Sequence, residues 1–166
     1  MNSKKIRLLT ATALLAALTF CATLFLKIPF LNGYIHLGDS FVLLAGWLLS
    51  PLYATLAAGL GSALADLAAG YPIYIPATFV IKAAMACLAA ILCRKKTTPV
   101  RRILTAFLAE AAMVLGYFLY EWALYGLGGA LPAIGGNLLQ AAGGILTSLL
   151  LWQCLSPALK KYDFKF

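Results

Sequence analysis

The side chains able to do chemistry are few, and most of them interrupt otherwise apolar sequence. Four of the five acids, Asp39, Asp66, Glu110 and Glu121, stand in or beside long hydrophobic runs, as do Lys82, Asn137, Gln140 and the only histidine, His36. Asp39 and Asp66 mark the far ends of GYIHLGDSFVLLAGWLLSPLYATLAAGLGSALADLAAG, Gly33 to Gly70, whose two apolar halves meet at Ser50-Pro51. If those halves form a membrane hairpin, both acids lie at one membrane face. A charge in hydrocarbon is costly and marks a pathway or a site.

The elements that must hold these groups follow from composition. Of 166 residues, 63% are hydrophobic and 11% charged, against about a quarter charged in soluble domains. The sequence therefore reads as an all-α integral membrane protein of one domain, residues 1–166. Six spans are expected, at roughly 8–26, 39–50, 51–69, 76–93, 101–125 and 132–155. The second is short for a crossing of about 20 residues. The run Leu8 to Leu26 is long for the apolar part of a secretory signal and is taken as the first span.

A net charge of +8 in a soluble chain would suggest nucleic acid. Here the bases cluster at apolar boundaries: Lys4, Lys5 and Arg7, then Arg94, Lys95, Lys96, Arg101 and Arg102, then Lys160, Lys161 and Lys165. Six spans place all three clusters on one side, and the excess of Lys and Arg makes that side the cytoplasm. Both termini are thus expected in the cytoplasm, with no nucleic acid as partner. The outer connections become Lys27–Gly38, Gly70–Ile75 and Gly126–Leu131. Four scattered cysteines without CxxC spacing point to neither a disulfide framework nor zinc.

Depth sorts the polar groups. His36 and Asp39 lie at the outer start of the second span, Asp66 near the outer end of the third, and Lys82 about 9 Å inside the fourth at 1.5 Å per residue. Glu121 lies near the outer end of the fifth span, Asn137 and Gln140 in the outer third of the sixth, and Glu110 near the midplane. A proton relay or channel would distribute such groups through the whole thickness, whereas a solute pocket open to the outside places them as found. Glu110, Tyr117 and Glu121 share a helical face, as do Asn137 and Gln140. Tyr71, Tyr74, Tyr117 and Trp122 can stack on an aromatic ligand or belong to an interfacial belt.

Each group also has a structural reading. Asp39 can cap its helix. Lys82 either contacts a ligand or pairs with Asp66 or Glu110. Glu110, without water at its depth, is either paired or protonated. One histidine beside acids is a poor metal signal, so no metal, cofactor or catalytic residue is assigned. Ridges of small residues, including Ala13, Ala17 and Cys21 on the first span and Ala57, Gly61 and Ala65 on the third, suit close helix packing or docking of another membrane subunit. There is no phosphate-binding GxxxxGK[ST] loop.

HLGD at His36–Asp39, SALADL around Asp66 and ATFVIK ending at Lys82 resemble the S components of energy-coupling factor (ECF) transporters, most of all the pyridoxine and hydroxymethylpyrimidine subgroup. The likeness covers the whole chain in topology and about a third of it in motif. It implies a multi-pass subunit in a bacterial plasma membrane that binds one vitamin in an outward pocket. Two outer loops, here Lys27–Gly38 and Gly70–Ile75, would cover that pocket. It also implies partners: a transmembrane T subunit docked on Ala13 and Ala17, and two ATPase subunits supplying energy. The residues expected to bind substrate are His36, Asp39, Asp66, Tyr74, Lys82, Glu110, Tyr117, Glu121, Asn137 and Gln140. Vitamin B6 is the expected substrate, with hydroxymethylpyrimidine or riboflavin as alternatives. A membrane-embedded enzyme and a solitary ion-coupled carrier are the competing classes.

Overall fold

The computed structural model describes residues 3–93 and 98–161. Arg94, Lys95, Lys96 and Lys165, which enter the topology argument, lie outside them. The described residues form five α-helices and one small β-hairpin: α1 (Ser3–Phe25), β1 (Lys27–Phe30), β2 (Gly33–His36), α2 (Asp39–Leu48), α3 (Pro51–Ala69), α4 (Ile75–Cys93) and α5 (Pro99–Lys161). Four helical stretches among the described residues are long and apolar enough to cross a membrane: Lys5–Phe25, Pro51–Ala69, Pro72–Cys93 and Pro99–Leu159.

Six separate spans are not what the backbone shows. α2 has only ten residues, about 15 Å at 1.5 Å per residue. α5 runs for 63 residues and changes direction at Gly126, whose φ of 70° and ψ of 177° leave the helical region. That backbone is open to glycine and unfavourable for residues with a Cβ. The expected outer loop Gly126–Leu131 is therefore one residue of broken helix. The two arms, 99–125 and 127–161, fold back on each other, since the Glu110 carboxyl of the first lies against Gly144 of the second.

The first outer connection also departs from expectation. Lys27–Gly38 is an antiparallel hairpin pairing Lys27 with His36 and Phe30 with Gly33. Leu31, at its tip, has φ of 50°, a conformation that costs an L-residue roughly 1–2 kcal/mol. The second connection matches its Gly and Pro content. Gly70, at φ 83°, ends α3, and Tyr71 N–H donates to the Asp66 carbonyl at 2.9 Å. A 3₁₀ turn, Pro72–Tyr74, then leads into α4.

α2 is the centre of the bundle, with Val42, Leu43, Leu44 and Ala45 out of reach of solvent. It packs on α4 and α5, while α3 lies between α1 and α4. Small residues set these distances. A Cβ on Gly61 of α3 would stand 2.5 Å from the Ala16 carbonyl oxygen of α1, and one on Gly59 would stand 3.0 Å from Phe79 of α4. Gly136, Gln140, Gly144 and Ser148 of α5 all face inward. The α3 and α5 ridges are thus internal packing, whereas Ala13, Ala17 and Cys21 on α1 are exposed. The outer surface carries Leu14, Leu52, Leu64, Val80, Leu115 and Leu146, all more than half exposed, as expected of a lipid-facing wall.

At the end of α2 remote from Asp39, Trp47 Nε1 donates to Thr105 Oγ1 at 3.1 Å. Trp152 meets Trp47 edge-on, and the Arg102 guanidinium lies 3.7 Å from the centre of the Trp152 ring. Tryptophan and arginine together suit a membrane–water boundary.

The α2–α4 contact leaves no room for a side chain on Gly46. A Cβ on Gly46 would meet the Ala89 Cβ at 2.5 Å and the Ala86 carbonyl oxygen at 2.8 Å. Gly46→Ala should therefore destabilise the protein by about 1–3 kcal/mol, the usual cost of overpacking, visible as a lower melting temperature in detergent. Gly33→Ala meets no atom within 4 Å and serves as the control.

Candidate functional site

The hairpin closes one end of the bundle and leaves a polar cavity beneath it. The cavity has a volume of about 50 Å³, room for roughly three to five ordered waters. β2 supplies Tyr34 and His36, α3 supplies Asp66, α4 and the turn before it supply Thr78 and Tyr74, and α5 supplies Tyr117, Glu121, Asn137 and Gln140. Seven of the ten residues expected to bind substrate thus line one cavity: His36, Asp66, Tyr74, Tyr117, Glu121, Asn137 and Gln140.

Asp39, Lys82 and Glu110 do not line it. Lys82 Nζ stands 2.5 Å from Asp39 Oδ1, both side chains fully buried. The partner expected for Lys82 was Asp66 or Glu110. The structure gives Asp39, which begins α2 without capping it by a side-chain bond. Gln140 Nε2 donates to Asp39 Oδ2 at 2.7 Å, and Gln140 Oε1 accepts the His36 N–H at 3.0 Å. Both Asp39 oxygens are therefore occupied by protein. Glu110 lies between the arms of α5 with neither carboxyl oxygen hydrogen-bonded. Of the two states expected at its depth, pairing does not occur among the described residues.

Around the cavity, tyrosines hold the acids. The Tyr34 hydroxyl donates to Asp66 Oδ1 at 2.5 Å, and the Tyr74 hydroxyl reaches Glu121 Oε1 at 3.5 Å. Burial, with the Asp66 carboxylate beside it, pushes the Tyr34 phenol well above its usual pKa and keeps it a donor. Thr78 and Tyr117 share a hydrogen bond of 2.9 Å, and Lys82 Nζ lies 5.4 Å from the centre of the Tyr117 ring. Tyr34 packs on Tyr71 at 5.1 Å and Tyr74 on Tyr120 at 5.8 Å between ring centres. Lys27 Nζ covers the Tyr34 ring at 5.0 Å. The fit of these rings is typical of tilted and edge-on aromatic pairs.

Sequence reasoning missed Tyr34, Thr78 and the hairpin tip Phe30–Asn32, all of which line the cavity. The signal for Tyr34 was its place two residues before His36, the spacing that puts both on one face of a strand. Among the described residues, no three His, Cys, Asp or Glu side chains gather to hold a metal.

A bundle of apolar helices with a polar, roofed cavity at one end and a buried ion pair behind Gln140 has the build of a membrane protein for a small solute. Residues 3–157 match the family of ECF-type riboflavin transporter S components, and the chain belongs to that family. Its fold is similar to that of the solved S component of a bacterial ECF transporter, with a TM-score of 0.77 over 94% of this chain and 99% of that one, at 23% identity. A Pyrococcus woesei protein known only as an uncharacterized protein in a gap 3′ region is 36% identical over 121 residues, 73% of this chain and 81% of that protein. Membership makes the chain an integral membrane, substrate-binding subunit of a vitamin transporter. It works with a transmembrane T subunit and an ATPase module, and it is not an enzyme.

Two outcomes test this geometry. Lys82→Met strands the buried Asp39 carboxylate and should cost about 3–5 kcal/mol of stability, whereas adding Asp39→Leu should recover much of it; thermal melts of both variants measure the cycle. His36 is neutral because burial lowers its pKa from 6.5 to about 4. The unfolded chain then binds more protons between those values, so stability should fall as pH drops from 6.5 towards 4. His36→Asn should flatten that part of a melting-temperature profile.

Proposed function

We propose that the cavity captures a water-soluble, single-ring vitamin of the B6 type for ATP-driven uptake. The observation that carries this reading is the cavity itself, about 50 Å³ of polar space walled by tyrosines. The cavity would have to open for any such ligand, least for one substituted ring and most for a fused three-ring system with a sugar-alcohol chain. Hydroxymethylpyrimidine is of the same size and chemistry as pyridoxine. Riboflavin is the second reading, favoured by the family match over residues 3–157.

In this reading residues 1–166 form one domain, and the two arms of α5 and the short α2 complete six passages through a bacterial plasma membrane. Both termini lie in the cytoplasm, the side marked by Arg101 and Arg102. The exposed Ala13 and Ala17 of α1 offer a flat surface for close approach of the T subunit, and two ATPase subunits drive transport. His36, Asp66, Tyr74, Tyr117, Glu121, Asn137 and Gln140 contact the ligand. Asp39 and Lys82 hold the floor that Gln140 stands on, and Glu110 acts from the helix interface.

The test is to denature the protein purified from its host membrane and identify released small molecules by mass spectrometry. A stoichiometric B6 vitamer or hydroxymethylpyrimidine is expected. Stoichiometric riboflavin would overturn the single-ring assignment. Asp66→Asn should reduce the retained ligand about tenfold or more, as for loss of one hydrogen bond to a charged group.

A further inference from the structure

The polar atoms around the cavity are not all satisfied, and the pattern of the unsatisfied ones describes a ligand. Asp66 Oδ2, Glu121 Oε2 and Asn137 Nδ2 are buried without a hydrogen-bond partner, and all three residues line the cavity. Asp66 is 5% exposed. In each acid one oxygen accepts from a tyrosine, Tyr34 on Asp66 and Tyr74 on Glu121, while the other is buried without a partner. Buried polar groups without partners are rare in folded proteins and call for an explanation.

Two open carboxyl oxygens from different elements, α3 and α5, ask for hydrogen-bond donors. A hydroxyl has one proton and can donate to one of them only. An amino group has two or three and can donate to both, while the Asn137 amide can donate to a ring nitrogen or oxygen. Among the described residues lining the cavity there is no lysine or arginine. Lys82 is spent on Asp39, Lys27 lies over the Tyr34 ring, and His36 Nδ1 accepts the Gly38 N–H at 3.0 Å. An anionic ligand would enter beside two carboxyl groups with no lysine or arginine in the lining to meet it.

We infer that the cavity selects a single-ring heterocycle bearing an amino group, which donates to Asp66 and Glu121, and that it rejects the phosphate ester of the same compound. This rests on the vitamin-binding reading above and narrows it to one chemical class. It also orders the chemistry around uptake: the ligand arrives dephosphorylated, so any phosphate ester must be hydrolysed outside and any phosphorylation must follow inside.

Matched ligands test it on the purified full-length protein, by calorimetry or competition. The pairs are pyridoxamine against pyridoxine, the ring-amino hydroxymethylpyrimidine against its oxo analogue, and pyridoxamine against its phosphate. Riboflavin completes the set. The amino member of each of the first two pairs should bind about tenfold or more tightly, as should pyridoxamine over its phosphate. Asp66→Asn and Glu121→Gln should each shrink the amino preference, and the comparison of ligands on the unmodified protein stands whether or not those variants fold. Equal or tighter binding of the hydroxyl, oxo or phosphorylated member overturns the inference. Tight binding of riboflavin alone overturns it while leaving a vitamin-binding subunit in place. If no member binds, the inference falls; if a wider set of water-soluble vitamins fails as well, the reading beneath it falls too.

Discussion

The buried ion pair between Lys82 and Asp39 is the constraint on which the rest of this structure depends. Both side chains are wholly removed from solvent at a contact of 2.5 Å. Taking two charges out of water is expensive, and their attraction offsets the cost only where remaining hydrogen-bonding capacity is met. Gln140 meets it at Asp39 and in turn accepts from the His36 backbone. One interaction therefore fixes the start of α2 against α4, the second arm of α5 against α2, and the root of the hairpin against α5. The removal of either charge would loosen all of these junctions together.

The pair also decides the character of the cavity above it. A lysine near the outer ends of the helices could have made the site a receptor for anions. Because Asp39 holds it, the cavity is left with carboxyl groups, amides and phenols. Tyrosine serves twice in this arrangement: its ring builds the wall and its hydroxyl fixes a carboxyl. The hairpin takes part in both through Tyr34, so the roof and the recognition surface share a residue.

Much of this was legible in the sequence. Asp39 and Asp66 at the two ends of an apolar hairpin placed the site at one face, and the spacing of Tyr117 with Glu121 and of Asn137 with Gln140 placed them together. The partner of Lys82 was not legible, since depth along separate helices does not say which acid faces it, and Asp39 resembled a helix cap. The β-hairpin was hidden because strands of four residues are too short to show a period, and Pro29, Asn32 and Gly33 read as loop. The length of α5 was hidden for a different reason. Gly126, Gly128, Gly129 and Pro132 look like a connection, but a single glycine at positive φ suffices to turn the helix, and the others remain within it. Glu110 faces Gly144 rather than the cavity, which helical phase alone could not separate from the Tyr117 face.

The shortness of α2 bears on the permeability barrier. Its ten residues reach only about 15 Å, half of a hydrocarbon core of about 30 Å. The hairpin stands over the Asp39 end of that helix, and its strands hydrogen-bond each other. The cavity thus rests on a short helix rather than on a full-length span. The buried apolar length of α2, from Val42 to Trp47, is what lies between the Lys82–Asp39 pair and the far end of the bundle.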